Sequence, residues 1–220
     1  GNVGLAVGPD VKYCRIRITE PPSENWEGRG GSEVGEELIL AKDLLSDVLR
    51  HQVEVIEEFS GSEIVGKAYH PLFPDAIERG DSDTAWTVVS ADFVTTTDGT
   101  GVVHTAVMYG EDDYALGMEV GFPAQHTVGM DGKFISGTHD SLDGRYVKDC
   151  DSDIINLLEQ NGRLYREHIY THDYPHCWRT DHPLLYYAMD SWFVRMTAVK
   201  DKIIKYNSEV EWAPEWTGTG

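Results

Sequence analysis

The sequence predicts a mainly β fold with a few helices, arranged as a β-barrel with the helices packed outside it. Short Val- and Thr-rich segments alternate with Gly, Pro and Asp turn signals along most of the chain. Helical periodicity is confined to a few stretches, and no internal repeat interrupts the pattern. At 220 residues with 40% apolar side chains, the chain is long enough to bury a real core.

From the N-terminus, residues 3–7 and 11–18 read as strands around the turn Gly8-Pro9-Asp10. In the second strand Cys14, Ile16 and Ile18 alternate with Tyr13, Arg15 and Arg17, the period-two pattern of a half-buried strand. Residues 21–31 carry two Pro and three Gly and read as an exposed loop. A helix is expected next. Ser32 can cap it, Glu33, Glu36 and Glu37 suit its positive end, and Val34, Leu38, Ala41, Leu45 and Val48 recur at helical spacing up to Arg50 and His51.

Residues 53–59 and 63–69 read as strands separated by Ser60-Gly61-Ser62, and 84–90, 92–96 and 102–108 as three more. Residues 110–119 form a short helix with Glu111, Asp112 and Asp113 in its first turn. Residues 126–128 and 134–135 flank a hairpin turn containing Asp131-Gly132. A helix over 152–161 stops at Gly162, residues 164–170 read as a strand, and a last helix spans 198–206 between Thr197 and Asn207.

Charge is the unusual feature. Eighteen basic against thirty-eight acidic residues give a net charge of −20, which repels polyanions and argues against a self-sufficient nucleic-acid binder. Residues 1–12 show no secretory signal, and the apolar runs are too short to span a membrane. Cys14, Cys150 and Cys177 form no CxxC pair, and three cysteines cannot close a disulfide framework, which favours a reducing compartment. With no initial Met and a Thr217-Gly-Thr-Gly220 end, the chain reads as a fragment of something larger.

Most chemistry-bearing residues fall in the stretch Asp98-Gly-Thr-Gly-Val-Val-His104 running on to Gly110-Glu-Asp-Asp-Tyr114. His104 lies on a strand and faces the same way as Val102 and Ala106. The carboxylates that follow are stabilised as anions at a helix start, where one could hold a ligand's ammonium group. The simpler reading of the same residues is a core histidine and ordinary first-turn acids. His168, His172, His176, Cys177 and His182 cluster late in the chain, but Thr180 stands where a second zinc-ligating Cys would be, so no metal site is expected. Thr95–Thr97 read as strand propensity rather than as substrate hydroxyls. The chain has no phosphate loop, nucleophile elbow or HExxH motif.

Three groups of motifs nevertheless resemble the editing insertion of the isoleucyl-tRNA synthetases, a class I family. They are His70-Pro-Leu-Phe73; the Asp98–His104 and Gly110–Tyr114 elements; and Tyr174-Pro-His-Cys-Trp-Arg179 with Ser191-Trp-Phe-Val-Arg195 and Glu211-Trp-Ala-Pro214. The likeness runs in order over nearly the whole chain. It implies an editing β-barrel over 1–172 and a return segment over 173–220 leading to the parent's catalytic domain. The implied activity is hydrolysis of valine wrongly attached to the isoleucine tRNA. The implied partners are that tRNA's 3′ end and the rest of the synthetase, in the cytoplasm and without a membrane.

Carried over by motif, His104 limits the pocket against isoleucine, Asp113 grips the substrate's α-amino group, and Thr100 and Gly101 belong to the pocket-forming turn. The family's Thr-rich peptide would precede Gly1 and is absent here. No cofactor is implied for this segment, since ATP and Mg serve the parent's synthetic site. A second reading makes the chain a non-catalytic module that positions tRNA between two sites of the parent.

Overall fold

The computed structural model describes residues 1–22, 29–167, 169 and 171–218. The chain divides into two units, Gly1–Ala188 and Met189–Gly220.

The first unit is built on two three-stranded sheets. In one, β1 (Gly4–Val7) lies between β5 (Thr87–Ser90), parallel to it, and β6 (Val102–Thr105), antiparallel to it. In the other, β2 (Lys12–Ile18) lies between β3 (Glu37–Ala41) and β4 (Val53–Ser60), antiparallel to both. The fold is therefore mixed α/β. Among the described residues the strand pairings make two sheets rather than one closed ladder.

Central position buries both faces of β1 and one face of β2. Ala6 joins a core with Ile77, Val89, Leu116 and Phe122, while its neighbour Val7 packs on the opposite side with Tyr13, Ala41, Leu44 and Phe59. That second core contains residues of both sheets and so holds them together. On β2, Cys14, Ile16 and Ile18 pack with Leu40, as their alternation predicts. Arg15 and Arg17 stand outside, paired with Glu57 at 3.0 Å and Glu37 at 2.7 Å. Exposed pairs of this kind contribute little to stability.

Among the described residues, the α-helices of the unit are α1 (Leu45–Val48), α2 (Glu111–Val120) and α3 (Asp151–Gln160). α2 stops where Gly121 enters the left-handed region at φ 78° and the amides of Gly121 and Phe122 both donate to the Gly117 carbonyl. In the second unit, α4 (Met196–Ser208) begins two residues before the predicted start and takes in Thr197 and Asn207. No helix among the described residues is long and apolar enough to cross a membrane.

The structure corrects several local expectations. The helix expected over 32–51 is instead strand β3, a short 3-10 turn and the single-turn α1. Gly35, at φ 97°, breaks any helix there, and Leu38–Leu40 pair with the edge of β2, whose amides and carbonyls need partners. Residues 63–69 form no named strand; after a turn in which Ser60 and Glu63 cap each other, they meet residues 86–88 through the Ala68–Thr87 bridge and a few backbone hydrogen bonds. Residues 92–96 are irregular around a turn at 92–93, and the predicted strands over 84–90 and 102–108 shorten to β5 and β6. The hairpin near Asp131 is a single Val128–Phe134 bridge. Residues 164–167 are not a strand. His168, Tyr170, and positions 23–28 of the predicted loop lie outside the described residues.

Candidate functional site

β6 carries His104 opposite Leu5 of β1 and delivers it to a cavity of about 310 Å³. The cavity walls are mainly apolar, with Phe73, Ile77, Phe134 and Leu142 prominent, and polar groups come from Asn2, Thr138 and His139. The imidazole is open to the cavity yet surrounded by protein. Its pKa is lowered first by burial, against the opposing pull of Asp113. Burial thus favours the neutral ring.

Two polar supports frame this pocket. Asn2 Nδ2 donates to the Gly4 carbonyl at 2.7 Å, and its Oδ1 accepts from the Tyr69 hydroxyl, whose pKa burial pushes up to about 12. On the other rim Asp143 accepts the amides of Gly137 at 2.6 Å and His139 at 2.9 Å. Those bonds hold its carboxyl below the usual range and fix the 137–143 turn, with the His139 ring edge-on to Phe73 at 5.7 Å.

Asp113 sits in the first turn of α2, after the 106–110 turn. Its Oδ2 accepts the Ala106 amide at 3.2 Å, immediately beyond the end of β6. A Cβ on Gly110 would stand 2.9 Å from that carboxylate oxygen, so glycine permits the close approach. Asp113 is near enough for its charge to act on His104, although it is not among the residues lining the cavity. Asp112 is exposed.

Thr100 and Gly101 do not line the cavity either. The Thr100 carbonyl accepts the Ala41 amide at 2.8 Å, and the Gly101 carbonyl accepts the Tyr13 hydroxyl at 2.6 Å. The structure thus brings His104 and Asp113 into one electrostatic neighbourhood and uses the Gly-Thr-Gly turn to join the two sheets. Sequence reasoning missed Thr138, His139 and Asp143. Their Thr-His-Asp-Ser-Leu-Asp-Gly stretch signals a turn, but nothing local shows that it returns to His104.

Among the described residues, no three His, Cys, Asp or Glu side chains converge as metal ligands. His176 and His182 each direct Nδ1 to a backbone carbonyl at 2.9 Å, and His172 does likewise. Cys177 has its thiol pKa lowered by hydrogen bonds from Thr180 and the Arg179 backbone.

No family profile matches the chain. Individual proteins do. Isoleucine–tRNA ligase of Clostridium novyi (strain NT) is 46% identical over 219 residues, covering 100% of this chain and 19% of the ligase. Isoleucine–tRNA ligase of Bacillus thuringiensis (strain Al Hakam) is 39% identical over 214 residues, covering 97% of this chain and 19% of that protein. The chain thus spans about a fifth of the length of these relatives. Among solved structures, the editing domain of the P.falciparum cytosolic leucyl-tRNA synthetase aligns with a TM-score of 0.50 at 10% identity. That alignment covers 76% of this chain and 75% of that one and shows a likeness of fold.

Proposed function

We propose that this chain, homologous along its whole length to a segment of the isoleucine–tRNA ligases, is their editing domain and hydrolyses the ester of valine mischarged onto the isoleucine tRNA. The observation that supports it best is His104 in a small, mostly apolar cavity. One missing methylene gives a synthetic site only ~1–3 kcal/mol of discrimination, so a second, smaller sieve is needed to destroy what slips through. In this reading the neutral His104 ring limits the cavity to a valine-sized side chain. Asp113 anchors the α-ammonium, because a carboxylate that accepts one backbone amide keeps further acceptor capacity.

In this reading the attacking group is water, oriented with help from the RNA's terminal hydroxyl. Thr100 and Gly101 contribute by fixing the start of β6. The two sheets form the barrel body of an editing region over 1–172, and 173–220 returns the chain to the catalytic domain. The partners are the 3′ end of the isoleucine tRNA carrying valine and the remainder of a cytoplasmic synthetase, which supplies the ATP and Mg chemistry. The family's Thr-rich peptide would join at Gly1, which lines the cavity, and would add a wall.

The test is deacylation of Val-tRNA and Ile-tRNA by this chain, by a version extended through the Thr-rich peptide, and by the full-length synthetase with His104→Ala. The extended version should outpace the 220-residue chain on Val-tRNA. His104→Ala should make Ile-tRNA a substrate. If that variant still spares Ile-tRNA, the ring is not the sieve. If neither wild-type form deacylates Val-tRNA, the chain is the connective module instead.

A further inference from the structure

A second hollow, of about 320 Å³, adjoins the His104 cavity. Leu72, Phe73, Thr138 and His139 line both spaces, so these four residues form the partition between them. The two sides differ in chemistry. The His104 side is mainly apolar, whereas Asp75, Asp140 and Asn161 line the other. Leu72 is half-exposed, and the Thr138 hydroxyl is engaged elsewhere, donating to the Thr127 carbonyl at 3.2 Å. The body of the partition is therefore the ring pair Phe73–His139, edge to face with centroids 5.7 Å apart.

The His139 ring is held from several directions. Its Nδ1 lies 3.0 Å from the Ser141 hydroxyl. The His139 amide donates to Asp143 Oδ1 at 2.9 Å, and its carbonyl accepts the amides of Leu142 at 2.8 Å and Asp143 at 3.0 Å. The other Asp143 carboxylate oxygen accepts the Gly137 amide at 2.6 Å, so one side chain closes the turn on both sides of Thr138. Bonds to an ionised carboxylate are stronger than neutral ones. The loop is tied at its base as well. The Gly144 amide donates to the Phe134 carbonyl at 2.8 Å, and Arg145 pairs with Asp153 of α3 at 2.6 Å. A ring fixed in this way sets a firm limit on what fits beside it, because well-packed side chains yield little to an extra methylene. Without the ring, the cavity would run on into the second hollow, and a longer side chain could extend there.

We propose that the Phe73–His139 pair closes the cavity on this side and sets the length of side chain that it accepts. His139 is then a specificity-determining residue, and Asp143 a positioning residue that acts through it. This rests on the editing reading for the reaction, but it assigns a limit separate from that of His104. His104 bounds the cavity from β6, whereas the partition is carried by the 137–143 turn and by the segment at Phe73.

The experiment is deacylation, by the full-length synthetase, of the isoleucine tRNA charged with valine or with norleucine, whose unbranched side chain reaches further. The quantity read is the norleucine-to-valine ratio of kcat/KM. Wild type should favour valine. His139→Ala should raise the ratio about tenfold or more. His139→Phe keeps a ring against Phe73 and should hold the wild-type ratio. Asp143→Ala should move the ratio in the same direction as His139→Ala, whereas a merely structural role would lower both rates together and leave the ratio alone. An unchanged ratio in Asp143→Ala would remove the brace. An unchanged ratio in His139→Ala, or a wild type that clears norleucine as readily as valine, would overturn the partition while leaving editing intact. A wild type that leaves Val-tRNA whole would instead overturn the editing reading, and the length limit with it.

Discussion

The Asp113 carboxylate accepts the Ala106 amide at 3.2 Å, tying the first turn of α2 to the residue that follows β6. The residue expected to grip a substrate's ammonium is thus also a brace for the strand that carries His104. The two roles separate by substitution. Asp113→Ala loses the acceptor and should cost about 1–2 kcal/mol of stability, whereas Asp113→Asn keeps an oxygen there and should cost less. Both should lose Val-tRNA hydrolysis if the charge anchors the substrate. Urea denaturation alongside deacylation decides it, and an active, stable Asp113→Asn would remove the anchor. Asp112→Ala should change neither property.

The Tyr13 hydroxyl joins the sheets. It accepts the Gly8 amide at 3.1 Å and donates to the Gly101 carbonyl at 2.6 Å, inside the shared core. Tyr13→Phe leaves both backbone groups buried without that partner, so unfolding free energy should fall by about 1–3 kcal/mol. A smaller loss would mean that water replaces the hydroxyl.

Gly101 sits at φ 73°, and a Cβ there would stand 2.4 Å from the Ala41 Cβ. Left-handed strain and overpacking combine, so Gly101→Ala should destabilise by about 2–4 kcal/mol. Gly99 is also at positive φ, 70°, but has open space around its Cβ direction. Gly99→Ala should therefore cost less, and thermal denaturation of the pair checks the ranking.

Burial lowers the pKa of both His104 and His51 below 6.5. A group that is harder to protonate when folded favours the folded state above its unfolded pKa and loses that contribution as pH falls through the folded value. Stability should therefore decline as pH falls below 6.5. His104→Gln should flatten part of the decline, as read from denaturation midpoints across this range. A His104 NMR titration midpoint above 6.5 would contradict the burial argument.

Local signals place β1, β2, β4, α2, α3 and α4 to within a few residues. Alternation on β2, an acidic first turn on α2 and Gly162 after α3 each restrict a few neighbouring dihedral angles. The sequence also singles out His104 through its motif. Tertiary structure decided the rest. Residues 37–41 have apolar spacing compatible with a helix, yet the open edge of β2 makes them a strand. The cavity gathers Phe73, His104 and Leu142 from distant parts of the chain, and no local pattern encodes that meeting. The Gly-Thr-Gly turn faces Tyr13 and Ala41 because parallel pairing of β1 with β5 and antiparallel pairing with β6 bring the sheets together there. Such pairings are selected by the free energy of the whole packed core, which short windows of sequence do not contain.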